Sequence, residues 1–196
     1  MKKVFLLGAF ALFGAMNAQE SGFEGKTFVT GQVGFGTSGT SGSDASTSEV
    51  AIVPAVGHFV SPTIAIGAGI GYESSTNKTN ADNKTTVSAF VVKPFARKYW
   101  SVADKFYLFG QLDVPMAFGK TKTTVAGKSY EGGKESSFGV FLRPGLDYFL
   151  SNNWTIEATI GALGYNSTKP DGGKSANTFG LGLNFSEINF GVKYVF

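Results

Sequence analysis

His58 is the only histidine among 196 residues, and cysteine is absent. That composition removes disulfides, thiolate metal sites and a Cys nucleophile, and one imidazole leaves little for metal or acid–base chemistry. An enzyme built on this chain would have to work with carboxylates, Ser or Lys. His58 as a catalytic base would need a Ser and a carboxylate within hydrogen-bond reach. It lies instead beside the short Ser61-Pro62 turn, and its parity with Pro54 predicts an inward-pointing ring. Gly34-Phe35-Gly36-Thr37-Ser38-Gly39 fits the phosphate-cradling pattern G-x-G-x-x-G behind a strand. Residues 40–48 carry no apolar helical face, so no helix N-terminus follows to hold a phosphate, and the segment reads as a glycine-rich loop.

Seven charged residues form a more informative set. Lys93, Arg97, Asp113, Arg143, Asp147, Glu157 and Lys193 each occupy the polar parity of a segment whose other parity is apolar. Four are positive and three negative, the near-balance that a low-dielectric interior demands of charges taken out of water. Strand order predicts Asp113 between Lys93, Arg97 and Arg143, and Glu157 between Arg143 and Lys193. Such a set serves either as a plug of paired side chains or as a narrow gated pathway through exchangeable ion pairs.

The elements that hold these charges follow from composition and periodicity. Aromatic residues make up 14%, charged residues only 16%, and Gly numbers 27, which excludes a disordered or nucleic-acid-binding chain. The net charge of +3 includes Lys2 and Lys3, which belong to a start with the three parts of a secretory signal. In residues 1–18 a basic head precedes an apolar run from Val4 to Phe13, followed by small residues before Gln19. The run falls short of the roughly 20 residues a membrane-spanning helix needs. The expectation is export, cleavage after Ala18 and one mature domain over 19–196.

Past Gln19 no apolar repeat at three-and-four spacing is sustained, so helices are not expected. Alternation recurs instead over eight segments, near 26–36, 49–60, 63–73, 85–98, 105–119, 135–149, 154–165 and 178–196. Long polar connections at 37–48, 74–84, 120–134 and 166–177 follow the odd segments; short ones near Ser61, Ser101 and Ser151 follow the even ones. That order is up-and-down and antiparallel, with every long connection at one end.

Closed barrels of this order are either soluble, with an apolar interior, or membrane-spanning, with the reverse. Phe138, Val140, Leu142, Leu146 and Tyr148 share one parity while Arg143 and Asp147 take the other. Eight strands enclose room for side chains only, too little for the large apolar set of every strand. The apolar set therefore faces lipid, giving an all-β, eight-stranded antiparallel up-and-down transmembrane β-barrel. Tyr99, Trp100, Phe106, Tyr148, Phe149, Trp154, Tyr194 and Phe196 cluster at strand ends as an expected interfacial girdle. Gly67, Gly69, Gly71, Gly139, Gly145 and Gly161 are expected to leave room for local water inside. Parity breaks in the last segment, between Phe179, Leu181, Leu183, Phe185 and Ile188, Phe190, Val192, so a bulge near Ser186-Glu187 is needed, or 178–185 lies above the membrane.

The final residues, Asn189 to Phe196, resemble the C-terminal sorting signal of outer-membrane barrels, with Asn189, Gly191, Tyr194 and Phe196 in its four constrained positions. The mature chain resembles a small eight-stranded outer-membrane protein of the porin-like β-barrel family, similar to the transmembrane part of OmpA-type proteins. The resemblance implies that the barrel-assembly machinery engages the last strand, with periplasmic chaperones acting during biogenesis, and that strand one closes against it. With the sequence stopping at Phe196, no peptidoglycan-binding domain is carried over.

The expected protein is a non-enzymatic, monomeric outer-membrane barrel without cofactor, metal or nucleic-acid partner. Its role is structural or interactive, through four long exposed loops. Lys78, Lys84, Lys120, Lys122, Lys128, Lys134, Lys169 and Lys174 make those loops basic, suiting outer-membrane lipid and lipopolysaccharide phosphates, a host or phage surface, or a solvated face alone. A small-solute channel and a lipid-modifying enzyme are the alternatives.

Overall fold

The computed structural model describes residues 22–39, 41–182 and 188–196. The expected signal segment, 1–18, lies outside the described residues. The described chain forms β1 (Thr27–Gly39), β2 (Ser46–Ser61), β3 (Ile64–Lys78), β4 (Lys84–Ala103), β5 (Phe106–Asp113) and β6 (Met116–Val125). It continues as β7 (Lys128–Phe149), β8 (Trp154–Ile160), β9 (Ala162–Pro170), β10 (Ala176–Gly182) and β11 (Ile188–Val195). All pair antiparallel. β1 to β4 are consecutive neighbours; β5 and β6 follow one another between β4 and β7, and β8 and β9 between β7 and the last stave, β10 with β11. Phe28–Gln32 of β1 pair with Gly191–Val195 of β11, closing the ring. The eleven strands thus form the eight staves of an up-and-down barrel.

The interruptions have different causes. Between β5 and β6, Pro115 has no N–H to give the ladder, yet Phe95 faces Asp113 and Val92 faces Met116, three steps on each strand, so register is kept. Between β8 and β9, Thr159 faces Gly145 and Leu163 faces Leu142, four steps against three. The extra residue is Gly161, at φ +72, a backbone region open to glycine. This bulge turns Leu163 and Tyr165 outward, where unbroken alternation predicts Ala162. In the last stave, Gly182 faces Ala162 and Ile188 faces Ile160, so six steps oppose two. The expected bulge at Ser186-Glu187 lies outside the described residues.

The long connections are shorter than their polar composition predicts. β6 and β7 continue to a two-residue turn at Ala126-Gly127, both at positive φ as the twist of a tight hairpin requires. Thr and Ser extend the ladders there, as in the Thr76–Thr86 and Ser74–Ser88 hydroxyl contacts at 3.1 and 3.2 Å. β4 has 20 residues and β7 has 22, about twice a bilayer crossing, so much of each ladder stands clear of the hydrocarbon.

Side chains are inverted relative to a soluble barrel. On β3, Ile64, Ile66, Ile70 and Tyr72 are 39–55% exposed on the outside while Ala65 is fully buried. Inside, Phe28, Phe59, Phe95, Tyr99, Phe109 and Phe149 pack together at the short-turn end. Phe23, ahead of β1, closes them from below, stacked on Phe149 with centroids 5.2 Å apart. Tyr99 and Phe149 therefore leave the expected girdle, which keeps Tyr148, Trp154 and Phe196. Four rings lie on glycines directly opposite them: Phe28 on Gly57, Phe95 on Gly67, Phe109 on Gly145 and Phe141 on Gly164. A Cβ at any of these glycines would overlap the ring. Gly67 and Gly145 thus make room for aromatic rings where the sequence suggests water.

Candidate functional site

All seven charged positions point into the barrel, and six of them form three ion pairs. Arg97 on β4 reaches across the lumen to Glu157 on β8, Nη1 to Oε2 at 2.6 Å. Arg143 on β7 bonds Asp113 on β5 at 3.1 Å. Lys193 on β11 pairs with Asp147 on β7. Strand order places Arg143 next to Glu157; Arg97 takes Glu157 instead, because a side chain crossing a narrow lumen is not limited to adjacent staves. Lys93 is half-buried and forms no ion pair among the described residues.

Neutral groups join the pairs into a network that the sequence does not reveal. Gln111 accepts hydrogen bonds from Nε and Nη2 of Arg97 at 2.9 and 2.7 Å and donates to Asp113 at 3.3 Å. Thr30 donates to Glu157 at 2.8 Å. The Tyr99 hydroxyl accepts from Arg97 at 3.0 Å and from Lys193 at 3.1 Å. The Arg97 guanidinium also lies over the Phe109 ring at 4.0 Å, so the charged layer rests on the aromatic one. Asp113, Asp147, Glu157 and Lys193 are fully buried, so each depends on its partner for the solvation it has lost. Oδ1 of Asp147 and the Thr155 hydroxyl have no hydrogen-bond partner among the described residues.

Beyond the plug, toward the long hairpins, lies an open chamber of about 980 Å³ that extends to Val33 and Phe35 on β1 and Phe190 on β11. Glu49, Glu73 and Glu135 line it, with Asn189. Glu73 and Glu135 belong to one inward row that also includes Ala51, Ala89 and Gly119. The parity of Gly67, Gly69 and Gly71 extends to Glu73, which is the signal that could have located this carboxylate. Among the described residues no group of His, Cys, Asp and Glu has metal-site spacing.

With an apolar outside, a charged inside and a ring closed by its first and last staves, the architecture meets the comparisons with known proteins. The model of the outer membrane protein β-barrel domain matches residues 5–196. The chain belongs to that family. It is a transmembrane barrel of the outer membrane. Among solved structures, this outer-membrane barrel is similar to Neisserial surface protein A at 12% identity, covering 86% of this chain and 94% of that one, with a TM-score of 0.45. It is similar to the translocator domain of autotransporter NalP from Neisseria meningitidis at 16% identity, 96% and 73% coverage and a TM-score of 0.46. It is also similar to a major outer membrane protein from Thermus thermophilus at 11% identity, 87% and 99% coverage and a TM-score of 0.46. No curated protein matches the sequence.

The four positions expected from the resemblance to form a sorting signal, Asn189, Gly191, Tyr194 and Phe196, fall on or just past β11. Gly191 sits opposite both Gln32 and Glu157, at the closing seam. Tyr194 packs edge-on against Trp154 and Phe196, with centroids 4.8 and 5.3 Å apart, and the Phe196 amide donates to the Thr27 carbonyl at 2.8 Å. Asn189 opens onto the chamber. His58 faces outward, contrary to the inward position its parity with Pro54 suggests: both are exposed, because the inward set of β2 is Val53, Ala55, Gly57 and Phe59. The Thr27 hydroxyl lies 3.0 Å from His58 Nδ1, and no carboxylate pairs with the ring among the described residues.

Proposed function

We propose that this outer-membrane barrel is a non-enzymatic protein with a closed lumen, acting structurally and through the surface of its long hairpins. The observation that carries the reading is the stack of two fillings in series: the aromatic cluster around Tyr99 and Phe109, and the ion-paired layer of Arg97, Glu157, Asp147 and Lys193 above it. An eight-stranded barrel has no spare cross-section for a water column beside such side chains. Catalysis has little support in the exposed His58, whose neighbour is a Thr hydroxyl. The test is solute entry into liposomes carrying the refolded protein. A closed lumen gives no swelling with sugars; rapid sugar uptake overturns the reading.

A narrow gated pathway is the second reading, and the chamber favours it. The chamber opens the long-hairpin half of the lumen, so the ion-paired layer and the aromatic cluster beneath it are what separate the two ends. Exchange of Glu157 from Arg97 to Lys193, or of Asp113 from Arg143 to Lys93, which has no ion pair among the described residues, would loosen that layer while each carboxylate keeps a cation beside it.

A further inference from the structure

The ring closes through Phe28–Gln32, and above that ladder its wall is incomplete among the described residues. Gly34-Phe35-Gly36-Thr37-Ser38-Gly39, expected from its composition to be a loop, is the upper half of β1 and pairs with β2 alone. β10, at the other end of the sheet, pairs with β9 alone. Val33–Gly39 and Ala176–Gly182 thus present two free edges of seven residues each. The two strands do not approach as neighbours in a sheet do, so the gap between them is wider than one strand spacing of about 4.8 Å. Val33, Phe35, Phe179, Leu181 and Phe190 flank it, and at 63–75% they are the most exposed large apolar side chains of the described residues. Val33 stands in one outward row with Ile52, Tyr72, Phe90 and Phe118, so the lower part of the gap is at lipid depth. Unpaired N–H and C=O groups are tolerated at that depth only where they line a polar cavity. The chamber is that cavity, since Val33 to Ser38 form part of its lining.

The inner side of the gap is bare and acidic. The inward positions Gly34 and Gly36 on β1 and Gly180 on β10 carry no side chain, and a Cβ at Gly180 would meet nothing within 4 Å. Glu49, directly opposite Gly36, brings Oε2 to 3.9 Å from where a Gly36 Cβ would stand. Among the described residues the chamber lining holds three carboxylates and no cation. We propose that the gap is a docking site for one extended peptide strand of a partner protein, its side chains alternately apolar and basic. Laid between β1 and β10, that strand gives each free edge a backbone partner, antiparallel on one side and parallel on the other. Its apolar side chains continue the lipid-facing band between Phe35 and Phe179, and its basic ones enter the space beside Gly36 and Gly180 toward Glu49. An acyl chain would fill the same gap but satisfy neither edge, so the commitment is to a peptide. The site lies in the barrel wall, away from the hairpin tips and the plug. It therefore goes beyond the surface role proposed above and stands independently of whether the lumen is closed.

The test uses the full-length mature protein refolded into lipid nanodiscs and a fluorescent seven-residue peptide of alternating Val and Lys, read by anisotropy. It should bind saturably. The same residues in two blocks cannot place apolar and basic side chains on opposite faces of a strand, and that peptide should not bind. Two isomers N-methylated on alternate amides, one along each edge, keep the charge and apolarity but lose about three hydrogen bonds. At about fivefold each, both should bind on the order of a hundredfold more weakly. Glu49→Gln should weaken the parent peptide about fivefold, as for a part-exposed ion pair. Glu131→Gln, opposite Lys122 in the β6–β7 hairpin, is the control and should bind as wild type. Heat-modifiable mobility shows that each variant has folded. Absence of saturable binding, equal binding of the block peptide or of either methylated isomer, or an unchanged affinity in Glu49→Gln would each overturn the proposal. Closure of the gap on itself would do the same. Phe35→Cys, combined in turn with Asn177→Cys, Phe179→Cys or Leu181→Cys, should stay reduced under mild oxidation without peptide, because a disulfide needs Cα atoms within about 7 Å. A disulfide in any of the three would show that β1 and β10 pair with each other.

Discussion

Arg97 and Glu157 meet at 2.6 Å across the barrel lumen from staves that are not neighbours, and both are buried. A bond of this kind ties opposite walls together, unlike the ladder bonds that link each stave to the next. Arg97→Ala leaves the Glu157 carboxylate buried with Thr30 as its remaining close donor, at a cost of about 3–5 kcal/mol. Arg97→Met combined with Glu157→Gln should recover much of that loss. Urea unfolding in lipid vesicles measures it; strictly additive single effects would show that the two side chains do not interact.

The other basic arm of the plug should behave differently. Arg143 is 28% exposed and its partner is Asp113. Arg143→Ala should therefore cost less than Arg97→Ala, since water can reach the site, and it should couple to Asp113→Asn and not to Glu157→Gln. Equal coupling to both carboxylates would mean that the pairs exchange freely at rest.

Each interior ring that lies on a glycine should make that glycine intolerant of a methyl group. Gly57→Ala drives a Cβ into the Phe28 ring, and overpacking of this kind costs about 1–3 kcal/mol. Gly31→Ala, one strand away, meets nothing within 4 Å and should be neutral. Combining Gly57→Ala with Phe28→Leu should restore part of the loss.

Much of this was legible in the sequence, because in a lipid-exposed barrel the period of two reports directly on which side faces hydrocarbon. Lys93, Arg97, Asp113, Arg143, Asp147, Glu157 and Lys193 carry that signal unambiguously, each being a charge on the minority parity. Their partners were not legible: parity says which way Arg97 points, but not that it crosses the lumen. Gly161 illustrates a second limit, since one residue at positive φ resets the alternation beyond it without any change in composition. The extent of the hairpins was hidden for a third reason. Ladders that stand in water need no apolar face, so Thr- and Ser-rich strands read as loops.

The Ala126-Gly127 turn joins two ladders that stand well clear of the apolar band, and it should be reachable from outside the cell. An epitope inserted after Gly127 should be labelled on intact cells, while one beside Asn152 should stay hidden until the envelope is permeabilised. The reverse pattern would invert the barrel.

The last stave should be needed for assembly. Deleting Phe196 removes the ring that packs on Tyr194 and the amide that bonds Thr27, so the first and last staves lose their terminal link. The deleted form should fail to accumulate in the outer membrane as a heat-modifiable species. Normal accumulation would show that Phe196 is dispensable for insertion.

Planar-bilayer recording of the refolded wild-type protein bears most directly on the closed lumen. With the aromatic cluster and the Arg97–Glu157 layer in series, the membrane should stay electrically quiet apart from rare, small openings. Those openings should become more frequent in Arg97→Ala, which removes the strut across the plug. A steady, large conductance in the wild type would contradict the account and make the barrel a porin.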